Sequence, residues 1–444
     1  MDYIRRFDIH LDREYVYPGQ YLTGHVMIDN RENIKIRNIR ASLRGKAHVE
    51  WKVMKSGERR TVKDDQYFLD EKLVVWGKEK TDESIPILPR GHHELPFKFL
   101  LPEPANQPMP CSFESKTGTI RYYIKVTIDI PYASPPQGIK YFTLIGPTID
   151  CGEDKYLTPV IAQDIKVLCC LCCRRGPISL HCTLPRTAYC SGERLHFTAD
   201  VNNQSNEPAQ LRLQLFQYVE YFIDRGPLGV SKDVSHLVLQ AVGPEVEPDS
   251  TWKFVSDRAA GSNGKGWELF KLTIPVVPPT LVGVCRLIQI YYLLKVCVYM
   301  KNSGEDLHME FPITIGTKPV IDRENPIPPS ISYDVAADHV EGGQYISPEF
   351  QIGQVYDGST ANAHDPSTEE VILYRPTYVN LVPPRTQQQQ QQQQHSAPVA
   401  STSRGAAAAA PHNDESITVK RPHHQQQQQQ PATNPAIPVT SWRV

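Results

Sequence analysis

The pattern of apolar and polar positions predicts strands over the first 316 residues. Apolar and polar residues alternate, or β-branched and aromatic residues cluster, in segments separated by Pro-Gly, Asp-Asn and Gly-Thr turns, among them 7–11, 21–28, 34–43 and 120–130. Alternation with period two is typical of half-buried strands, and no long stripe with a helical period competes with it. Short strands at close spacing favour antiparallel sandwiches over a parallel α/β sheet. We therefore predict an all-β fold.

The strand pattern occurs twice along the chain. Residues 17–30 read YPGQYLTGHVMIDN and residues 189–203 read YCSGERLHFTADVNN, which places Gly19 and Gly192 at an offset of 173. Two further pairs of blocks follow in the same order at nearly the same offset: 95–102 with 269–275, and 120–126 with 290–296. An ordered repeat of this kind predicts two copies of one sandwich, residues 1–163 and 177–316, joined by a cysteine-rich connector at 164–176.

Composition changes near residue 317. Residues 317–444 contain 15 prolines, runs of eight and six glutamines and a run of five alanines, with 8 basic and 12 acidic residues. Apolar residues are too sparse there to offset the entropy of ordering, so we expect a disordered tail. The net charge of −2 divides into −4 for this tail and +2 for the first 316 residues.

Several classes of function are not expected. The near-neutral charge does not predict a nucleic-acid binder, which usually has a basic excess. The N-terminus lacks the apolar core of a signal peptide and no apolar window is long enough to span a bilayer, so we expect a cytoplasmic protein. No phosphate-binding loop, nucleophile signature or zinc-protease motif is present. We therefore predict no enzymatic activity, no cofactor and no metal site.

The ordered blocks carry a resemblance to a known family. Tyr17-Pro-Gly, the run LTGHV at 22–26, the block LPFKFLLP at 95–102, CSFESKTGTIRYY at 111–123 and GPISL at 176–180 together resemble the arrestin domain-containing (alpha-arrestin) family over residues 5–316. The resemblance implies two arrestin-type, immunoglobulin-like sandwiches. It implies a non-catalytic adaptor in the trafficking, endocytosis and sorting of membrane receptors or transporters, cytoplasmic with association at the plasma membrane and endosomes.

Many members of that family carry Pro-Pro-x-Tyr motifs that bind WW domains of HECT-type ubiquitin ligases. Here the nearest matches are imperfect: Pro328-Pro329 is followed by Tyr333 after three intervening residues, and Arg375 precedes Pro376 and Tyr378. Loss of one proline removes part of the contact with the WW groove, so we expect weakened ligase binding.

The same tail segment also fits a clathrin-adaptor signal. Tyr378, with Leu381 three residues later, matches the tyrosine-x-x-apolar pattern that is bound in extended form. Such short patterns also arise by chance in tails. Our hypothesis is that residues 374–384, with Pro376, Tyr378 and Leu381, form the partner-binding segment.

Four clustered cysteines lie in the predicted connector: Cys169, Cys170, Cys172 and Cys173, followed by Arg174 and Arg175. Thiols beside Leu171 and two arginines suit lipid attachment at an anionic bilayer, which would give peripheral membrane association. Zinc binding lacks a second spaced pair of ligands. A cysteine-rich, partly buried strand is the simplest interpretation, because cysteine packs as a small apolar residue.

A charged segment at 52–70 is the candidate cargo loop. It contains Lys55, Arg59, Arg60 and Lys63, and the family resemblance implies an inter-strand loop that contacts the receptor. The alternative is an ordinary solvated loop.

Two other functions remain open from the sequence. One is a redox or metabolic regulator similar to the thioredoxin-interacting branch of the family, acting through a reactive cysteine in the second domain. The other is a glutamine-rich nuclear scaffold, which rests only on the two glutamine runs.

Overall fold

The computed structural model describes residues 3–55, 57–79, 84–170, 173–224, 229–256, 272–300, 307–321, 329–343, 355–356 and 374–382. Within these ranges the side chains at 55, 168–170, 173–175 and 355–356 are not described. All of these residues belong to one compact unit, Met1–Gln392. No helix among them is long and apolar enough to cross a membrane.

The first sandwich consists of two sheets, antiparallel throughout except that β2 pairs with β11 in parallel. A three-stranded sheet has the order β1-β3-β8, and a second sheet has the order β2-β11-β10-β5-β6. The strands are β1 (Ile4–Leu11), β2 (Tyr15–Val16), β3 (Tyr21–Asn30), β4 (Ile34–Lys35), β5 (Asn38–Lys55), β6 (Glu58–Gly77), β7 (Ile87–Leu88), β8 (Gly91–Leu100), β9 (Phe113–Glu114), β10 (Gly118–Asp129) and β11 (Gln137–Leu144). The proline-bounded block at 95–102 forms most of the edge strand β8, as expected of a strand closed by prolines.

The second sandwich repeats this topology. Its sheets have the orders β12-β13-β15-β18 and β14-β20-β19-β16-β17. After a short helix, α1 (Asp154–Leu157), the strands are β12 (Val160–Cys170), β13 (Cys173–Leu184), β14 (Ala188–Tyr189), β15 (Thr198–Asn203), β16 (Ala209–Ile223), β17 (Val230–Val246), β18 (Ser250–Val255), β19 (Ile288–Met300) and β20 (Leu307–Ile315). The prediction of two related β-sandwiches is therefore confirmed; only β12 has no counterpart in the first copy.

The residues that revealed the repeat occupy equivalent positions. Gly19 and Gly192 have φ angles of 80° and 84°, a conformation that glycine adopts without steric cost. Each donates its backbone N–H to the neighbouring segment of the same sheet, Gly19 to the carbonyl of Pro102 at 3.0 Å and Gly192 to that of Ile274 at 2.8 Å. The repeat thus marks the turn that leads into β3 in the first sandwich and into β15 in the second, together with its partner block.

Buried asparagines form a second equivalent pair. Asn203 donates through Nδ2 to the carbonyls of Glu207 at 2.9 Å and Val246 at 3.0 Å. Asn30 donates in the same way to the carbonyls of Glu32 at 2.7 Å and Pro89 at 2.8 Å. An amide at the end of β3 and of β15 therefore satisfies loop carbonyls in both copies.

The two sandwiches contact each other through hydrogen bonds between buried or half-buried groups. The hydroxyls of Ser115 and Tyr221 lie 2.7 Å apart, and Lys232 donates through Nζ to the hydroxyl of Thr117 at 2.9 Å. Both contacts join the β9–β10 turn of the first sandwich to strands β16 and β17 of the second.

The structure moves the predicted boundary between the domains. Residues 164–170 and 173–176, predicted to belong to a connector, lie on β12 and β13, in which Cys170 is paired with Cys173. The alternating pattern at 160–167 explains this, because it specifies a strand that pairs with β13. The link between the sandwiches is instead the segment 145–159, which contains α1.

The structure also moves the start of the predicted tail. Two segments beyond residue 317 are ordered strands, β21 (Ser330–Val335) and β23 (Thr377–Val382), which pair antiparallel. A short strand, β22 (Val355–Tyr356), pairs with β11. Composition averaged over 128 residues does not reveal strands as short as these. The two glutamine runs lie outside the described residues.

Candidate functional site

The predicted partner-binding segment is a buried strand. Tyr378 is 2% exposed, Leu381 is 7% exposed and Pro376 is buried. The sequence alone predicts that these side chains are accessible in a disordered tail, and the structure differs. In this conformation neither a WW domain nor a clathrin adaptor could insert Tyr378 into a pocket of its own.

This strand is anchored to both sandwiches. Tyr378 donates its hydroxyl to the carbonyl of Ser112 at 3.1 Å in the first sandwich, and the backbone N–H of Leu381 donates to the carbonyl of Ser191 at 2.9 Å in the second. Tyr374 donates its hydroxyl to the carbonyl of Phe142 at 2.8 Å. The strand therefore fills a groove where the two sandwiches meet.

Apolar packing completes the anchoring. Val379 and Leu381 form one cluster with four buried residues of the link and the second sandwich: Ile145, Cys151, Ala188 and Cys190. The backbone of Leu381 runs so close to Gly192 that a Cβ at that glycine would collide with it. Gly192 thus serves both the conserved turn geometry of the repeat and the close approach of the tail strand.

The candidate cargo loop is the end of a long two-stranded ribbon. Strands β5 and β6 pair from Asn38 opposite Gly77 to Lys55 opposite Glu58. Arg59, Arg60 and Lys63 therefore lie on β6 and not in a loop, since the polar residues there continue the strand alternation, and all three are exposed. Lys55 ends β5; its side chain lies outside the described residues.

The second sandwich holds the ribbon part-way along its length. Arg286 forms a bidentate pair with Asp64, with contacts of 2.7 and 3.0 Å, and donates to the carbonyl of Asp65 at 2.9 Å. The contact with Arg286 lowers the pKa of Asp64. We call this contact the latch. Arg59 and Arg60 lie beyond it, nearer the end of the ribbon.

The cysteine cluster lies at the tip of the β12–β13 hairpin. Cys169 and Cys170 end β12 and Cys173 begins β13. The side chains of these three residues, and Cys172 as a whole, lie outside the described residues. Lipid attachment at this cluster therefore stays a prediction.

Cysteines with described side chains in the second sandwich are poor candidates for redox chemistry. Cys182 and Cys190 are buried. Burial raises the pKa of Cys182 to about 12, and contact with the thiol of Cys151 together with burial raises the pKa of Cys190. Because the thiolate is the nucleophile, these thiols are expected to be unreactive at neutral pH.

The outer face of the larger sheet in the first sandwich is cationic. Arg40, Arg44, Lys72 and Lys125 surround Ser42 on adjacent strands, with Asp70 as the only carboxylate in the same rows. Arg44 and Lys72 approach Asp70 at 3.3 and 4.0 Å, whereas no acidic partner of Arg40 or Lys125 is found among the described residues. Burial and the nearby Arg44 charge lower the pKa of Lys125.

The equivalent face of the second sandwich keeps two cations, Arg212 and Lys295 at the positions of Arg40 and Lys125, but it also carries an aromatic cluster. Tyr218 and Tyr291 lie opposite each other with ring centroids 5.3 Å apart and planes 7° from parallel. Phe216 and Leu293 form the next pair along the same strands, and all four side chains are half-buried. The two sandwiches thus present chemically different surfaces on one shared scaffold.

Comparison with known proteins places the chain in a family. The model of the arrestin (or S-antigen) N-terminal domain matches residues 7–150, and that of the C-terminal domain matches residues 174–320. The chain belongs to the arrestin family. Its relatives place this arrestin in the alpha-arrestin branch: arrestin domain-containing protein 4 of Homo sapiens is 28% identical over 307 residues, which cover 68% of each chain.

More distant relatives include two further members of that branch. Arrestin domain-containing protein 17 of Caenorhabditis elegans is 25% identical over 318 residues, covering 69% of this arrestin and 68% of the relative. Thioredoxin-interacting protein of Pongo abelii is 23% identical over 310 residues, covering 69% and 73%. Arrestin-family proteins of this kind are adaptors, so the candidate sites of this arrestin are binding surfaces. Among the described residues no group of three or more His, Cys, Asp or Glu could hold a metal ion.

Both outer faces of this arrestin were missed from the sequence. The sequence does indicate that these cations face outward, because Arg40, Arg44 and Lys125 alternate with core residues on the predicted strands. What the sequence could not supply was the register of β5 against β10, which brings the cations of separate strands into one patch.

Proposed function

We propose that this arrestin is a non-catalytic adaptor in the trafficking, endocytosis and sorting of membrane receptors or transporters. It acts in the cytoplasm and associates with the plasma membrane and endosomes. Its sandwiches bind the cargo, and its tail recruits a HECT-type ubiquitin ligase through a WW domain, or a clathrin adaptor. The relatives and the two-sandwich fold support the adaptor class.

The cationic outer face of the first sandwich carries the cargo-binding part of the proposal. Four cations around Ser42 face one carboxylate, and the lowered pKa of Lys125 reflects burial and repulsion by Arg44. An acidic or phosphorylated cytosolic segment would relieve that repulsion and form charge-assisted hydrogen bonds with the arginines. We therefore assign the cytosolic segment of the cargo to this face, with the ribbon tip at Arg59 and Arg60 as an additional contact.

The cargo test compares two charge reversals in the full chain. Proximity labelling in cells is carried out with the unaltered chain, with Arg40→Glu/Arg44→Glu, and with Arg59→Glu/Arg60→Glu. We expect the first double variant to lose most labelled membrane proteins and the second to lose fewer. Binding of an acidic phosphopeptide to the purified chains should follow the same order. Unchanged labelling and unchanged peptide binding by Arg40→Glu/Arg44→Glu would contradict the assignment.

The tail part of the proposal requires a change of conformation. Because Tyr378 is 2% exposed and bonded to the first sandwich, the segment must leave its groove before a recruited protein can bind it. Recruitment is therefore conditional on release of β23.

Val379→Asp tests this conditional recruitment. Val379 is 4% exposed. It follows the proline-tyrosine motif and occupies a variable position of the tyrosine-x-x-apolar motif, so a buried carboxylate there should expel the strand without removing Pro376, Tyr378 or Leu381. We expect WW-domain or clathrin-adaptor binding to rise in Val379→Asp and to vanish in Val379→Asp/Tyr378→Ala. If neither the variant nor a free 374–384 peptide binds either probe, the tail does not recruit through this segment.

A further inference from the structure

Two cysteines from different segments meet beneath the tail strand β23. Cys151 lies in the link between the sandwiches, and Cys190 directly follows β14 in the second sandwich. Their sulfur atoms are 3.8 Å apart, and both side chains are fully buried. The fold therefore brings two thiols that are 39 positions apart in the sequence into direct contact.

Both cysteines belong to backbone that hydrogen bonds hold in place. The N–H of Cys151 donates to the carbonyl of Lys318 at 3.0 Å, and the N–H of Cys190 donates to Oε2 of Glu193 at 2.8 Å. A Cβ at Gly316 would collide with Sγ of Cys151, so this glycine leaves room for the thiol. The sulfur atoms of a disulfide lie about 2.05 Å apart, so a bond between these two thiols requires a small movement of the side chains and no rearrangement of the strands.

The turn that contains Cys190 does not itself require a thiol. In the equivalent turn of the first sandwich, Pro18 occupies the position of Cys190. The glycines of the two turns, Gly19 and Gly192, have nearly the same φ angles, 80° and 84°. Backbone geometry therefore does not explain the thiol, whereas the contact with Cys151 offers an explanation.

Strand β23 separates the thiol pair from solvent. Val379 and Leu381 pack in the same buried cluster as the two cysteines, and the N–H of Leu381 donates to the carbonyl of Ser191, next to Cys190, at 2.9 Å. Contact with the thiol of Cys151, together with burial, raises the pKa of Cys190, so this group stays a thiol while the strand is in place. Release of β23 removes two of the side chains that cover the pair and admits small reagents.

We propose that Cys151 and Cys190 are a dithiol that an oxidant of the peroxide class converts to a disulfide once β23 has left its groove. One thiolate attacks a peroxide oxygen and the O–O bond breaks, which gives a sulfenic acid and a hydroxide that takes up the proton of the first thiol. The second thiol attacks the sulfenic sulfur, the S–S bond forms, and the hydroxyl leaves with the second proton as water. Two thiols are thus oxidised and one peroxide is reduced to two waters. The inference rests on the release of β23 in the proposed function.

The disulfide is expected to weaken the binding of β23 in return. Because the sulfur atoms of a disulfide lie about 2.05 Å apart, both side chains must move within the cluster against which Val379 and Leu381 pack. Closely packed interiors lose stability when the shape of one side changes. We therefore expect the oxidised chain to hold β23 less tightly than the reduced chain does.

The first test measures disulfide formation in the full chain. The unaltered chain, Val379→Asp and Val335→Asp are treated with hydrogen peroxide in native buffer, free thiols are alkylated, and the peptide that joins residues 151 and 190 is quantified by mass spectrometry. Val335 is 41% exposed on β21, so its variant is the matched control for an added carboxylate. We expect the linked peptide to form at least about tenfold faster in Val379→Asp than in the other two chains, because a buried carboxylate expels the strand.

Hydrogen exchange over residues 374–382 checks that the strand has left in Val379→Asp. If it has not, Tyr378→Ala, which removes the hydrogen bond to the carbonyl of Ser112, takes the place of that variant. Equal rates of linkage in the released variant and in Val335→Asp, or no linked peptide in any chain, would overturn the inference.

The second test identifies the reacting sulfur atoms and the effect on the tail. In the Val379→Asp background, Cys151→Ser or Cys190→Ser should abolish the linked peptide, whereas Cys182→Ser, on β13, should leave its rate unchanged. Once peroxide is removed, hydrogen exchange over residues 374–382 should be faster in the oxidised than in the reduced form of the otherwise unaltered chain, and equal in the two treatments of Cys190→Ser. Equal exchange in both forms of the unaltered chain contradicts the effect of the disulfide on β23.

The dithiol and the proposed recruitment by the tail fail separately. If the linked peptide forms in the released variant while neither the WW domain nor the clathrin adaptor binds it, recruitment through the tail falls and the dithiol stands. If a probe binds Val379→Asp but no linked peptide forms, the dithiol falls and recruitment stands. Cys151 and Cys190 then serve as small apolar residues of the cluster.

Discussion

The two sandwiches share their interior and differ on their outer faces. Tyr122 and Tyr292 are both buried, and each donates its hydroxyl to a proline carbonyl, Pro110 at 2.9 Å and Pro278 at 2.6 Å. The neighbouring positions diverge, because Arg121 in the first sandwich corresponds to Tyr291 in the second. Inward positions therefore preserve the fold, while some outward positions diverge: the first sandwich has the pair Lys46 and Arg121 where the second has the stacked pair Tyr218 and Tyr291.

The divergence is most pronounced next to the twin tyrosines. Arg121 forms a bidentate ion pair with Glu114, with contacts of 2.6 and 2.8 Å, and Glu114 is 1% exposed. Burial raises the pKa of Glu114, and the contact with Arg121 opposes that shift. Tyr291 instead stacks on Tyr218 and donates to Glu220 at 3.0 Å, in a half-buried setting. Mutations at these equivalent positions should therefore have unequal effects.

The largest effect is expected for Glu114→Gln. The substitution leaves the Arg121 guanidinium buried without its counter-charge, which should lower the free energy of unfolding by about 3–5 kcal/mol. Tyr291→Phe removes one hydrogen bond at a half-buried site and should cost about 1 kcal/mol. Urea denaturation at neutral pH measures both. As a control, Glu114→Leu/Arg121→Met removes both charges and should regain most of the lost stability. Costs of similar size for Glu114→Gln and Tyr291→Phe would mean that the ion pair does not distinguish the sandwiches.

The buried asparagines should also differ, by a smaller margin. In Asn203 the carbonyl oxygen accepts from the Ser205 hydroxyl at 2.6 Å, so both ends of the amide are used. The side-chain oxygen of Asn30 has no hydrogen-bond partner among the described residues. Asn203→Ala should therefore cost about 2–4 kcal/mol and Asn30→Ala about 1–2 kcal/mol, measured by urea denaturation. A larger cost for Asn30→Ala than for Asn203→Ala would show that Asn203 is not the better hydrogen-bonded of the two.

Part of what the two copies share could be predicted from the sequence. Gly19 and Gly192 follow from spacing alone, because local turn chemistry imposes the same residue in each copy. The strands followed from period-two alternation for the same reason. What local pattern cannot provide is pairing between distant segments, so neither the cationic patch nor the aromatic face was predicted.

Two elements differ from the sequence-based predictions: the tail strand β23 and the hairpin of β12 and β13. Thr377–Val382 is a short apolar run within a polar tail, and its burial depends on contacts with segments distant in the sequence, among them Ser112 and Ser191. At the hairpin, the four cysteines suggest a connector, whereas the alternation that precedes them at 160–167 predicts a strand. In both cases the pattern of apolar residues within six to eight positions predicts the strand better than the composition of the longer segment does.

The twin tyrosines offer a finer test of the shared interior. Tyr292 also accepts a hydrogen bond from Nε2 of Gln217 at 3.2 Å, whereas the carbonyl of Pro110 is the partner shown for Tyr122. Removing the hydroxyl should cost about 1–1.5 kcal/mol in Tyr292→Phe and about 0.5–1 kcal/mol in Tyr122→Phe. Thermal unfolding of the two variants in parallel is the measurement. A larger loss in Tyr122→Phe would argue that Gln217 contributes nothing to the second site.

The smallest effect is expected at the latch between the two sandwiches. Asp64→Asn removes the carboxylate that pairs with the half-exposed Arg286, so it should cost only about 0.2–1 kcal/mol. The pKa of Asp64 is lowered from about 3.8 by Arg286, so the latch contributes fully above that value and its contribution is lost as the pH falls through the lower folded pKa. The difference in unfolding free energy between the unaltered chain and Asp64→Asn should therefore shrink as the pH falls below about 3.8. Hydrogen exchange along the ribbon should rise in the variant at neutral pH while exchange in β16 and β19 stays unchanged. If exchange rises in those strands as well, Asp64 supports the second sandwich as a whole, and the ribbon is not a separately held element.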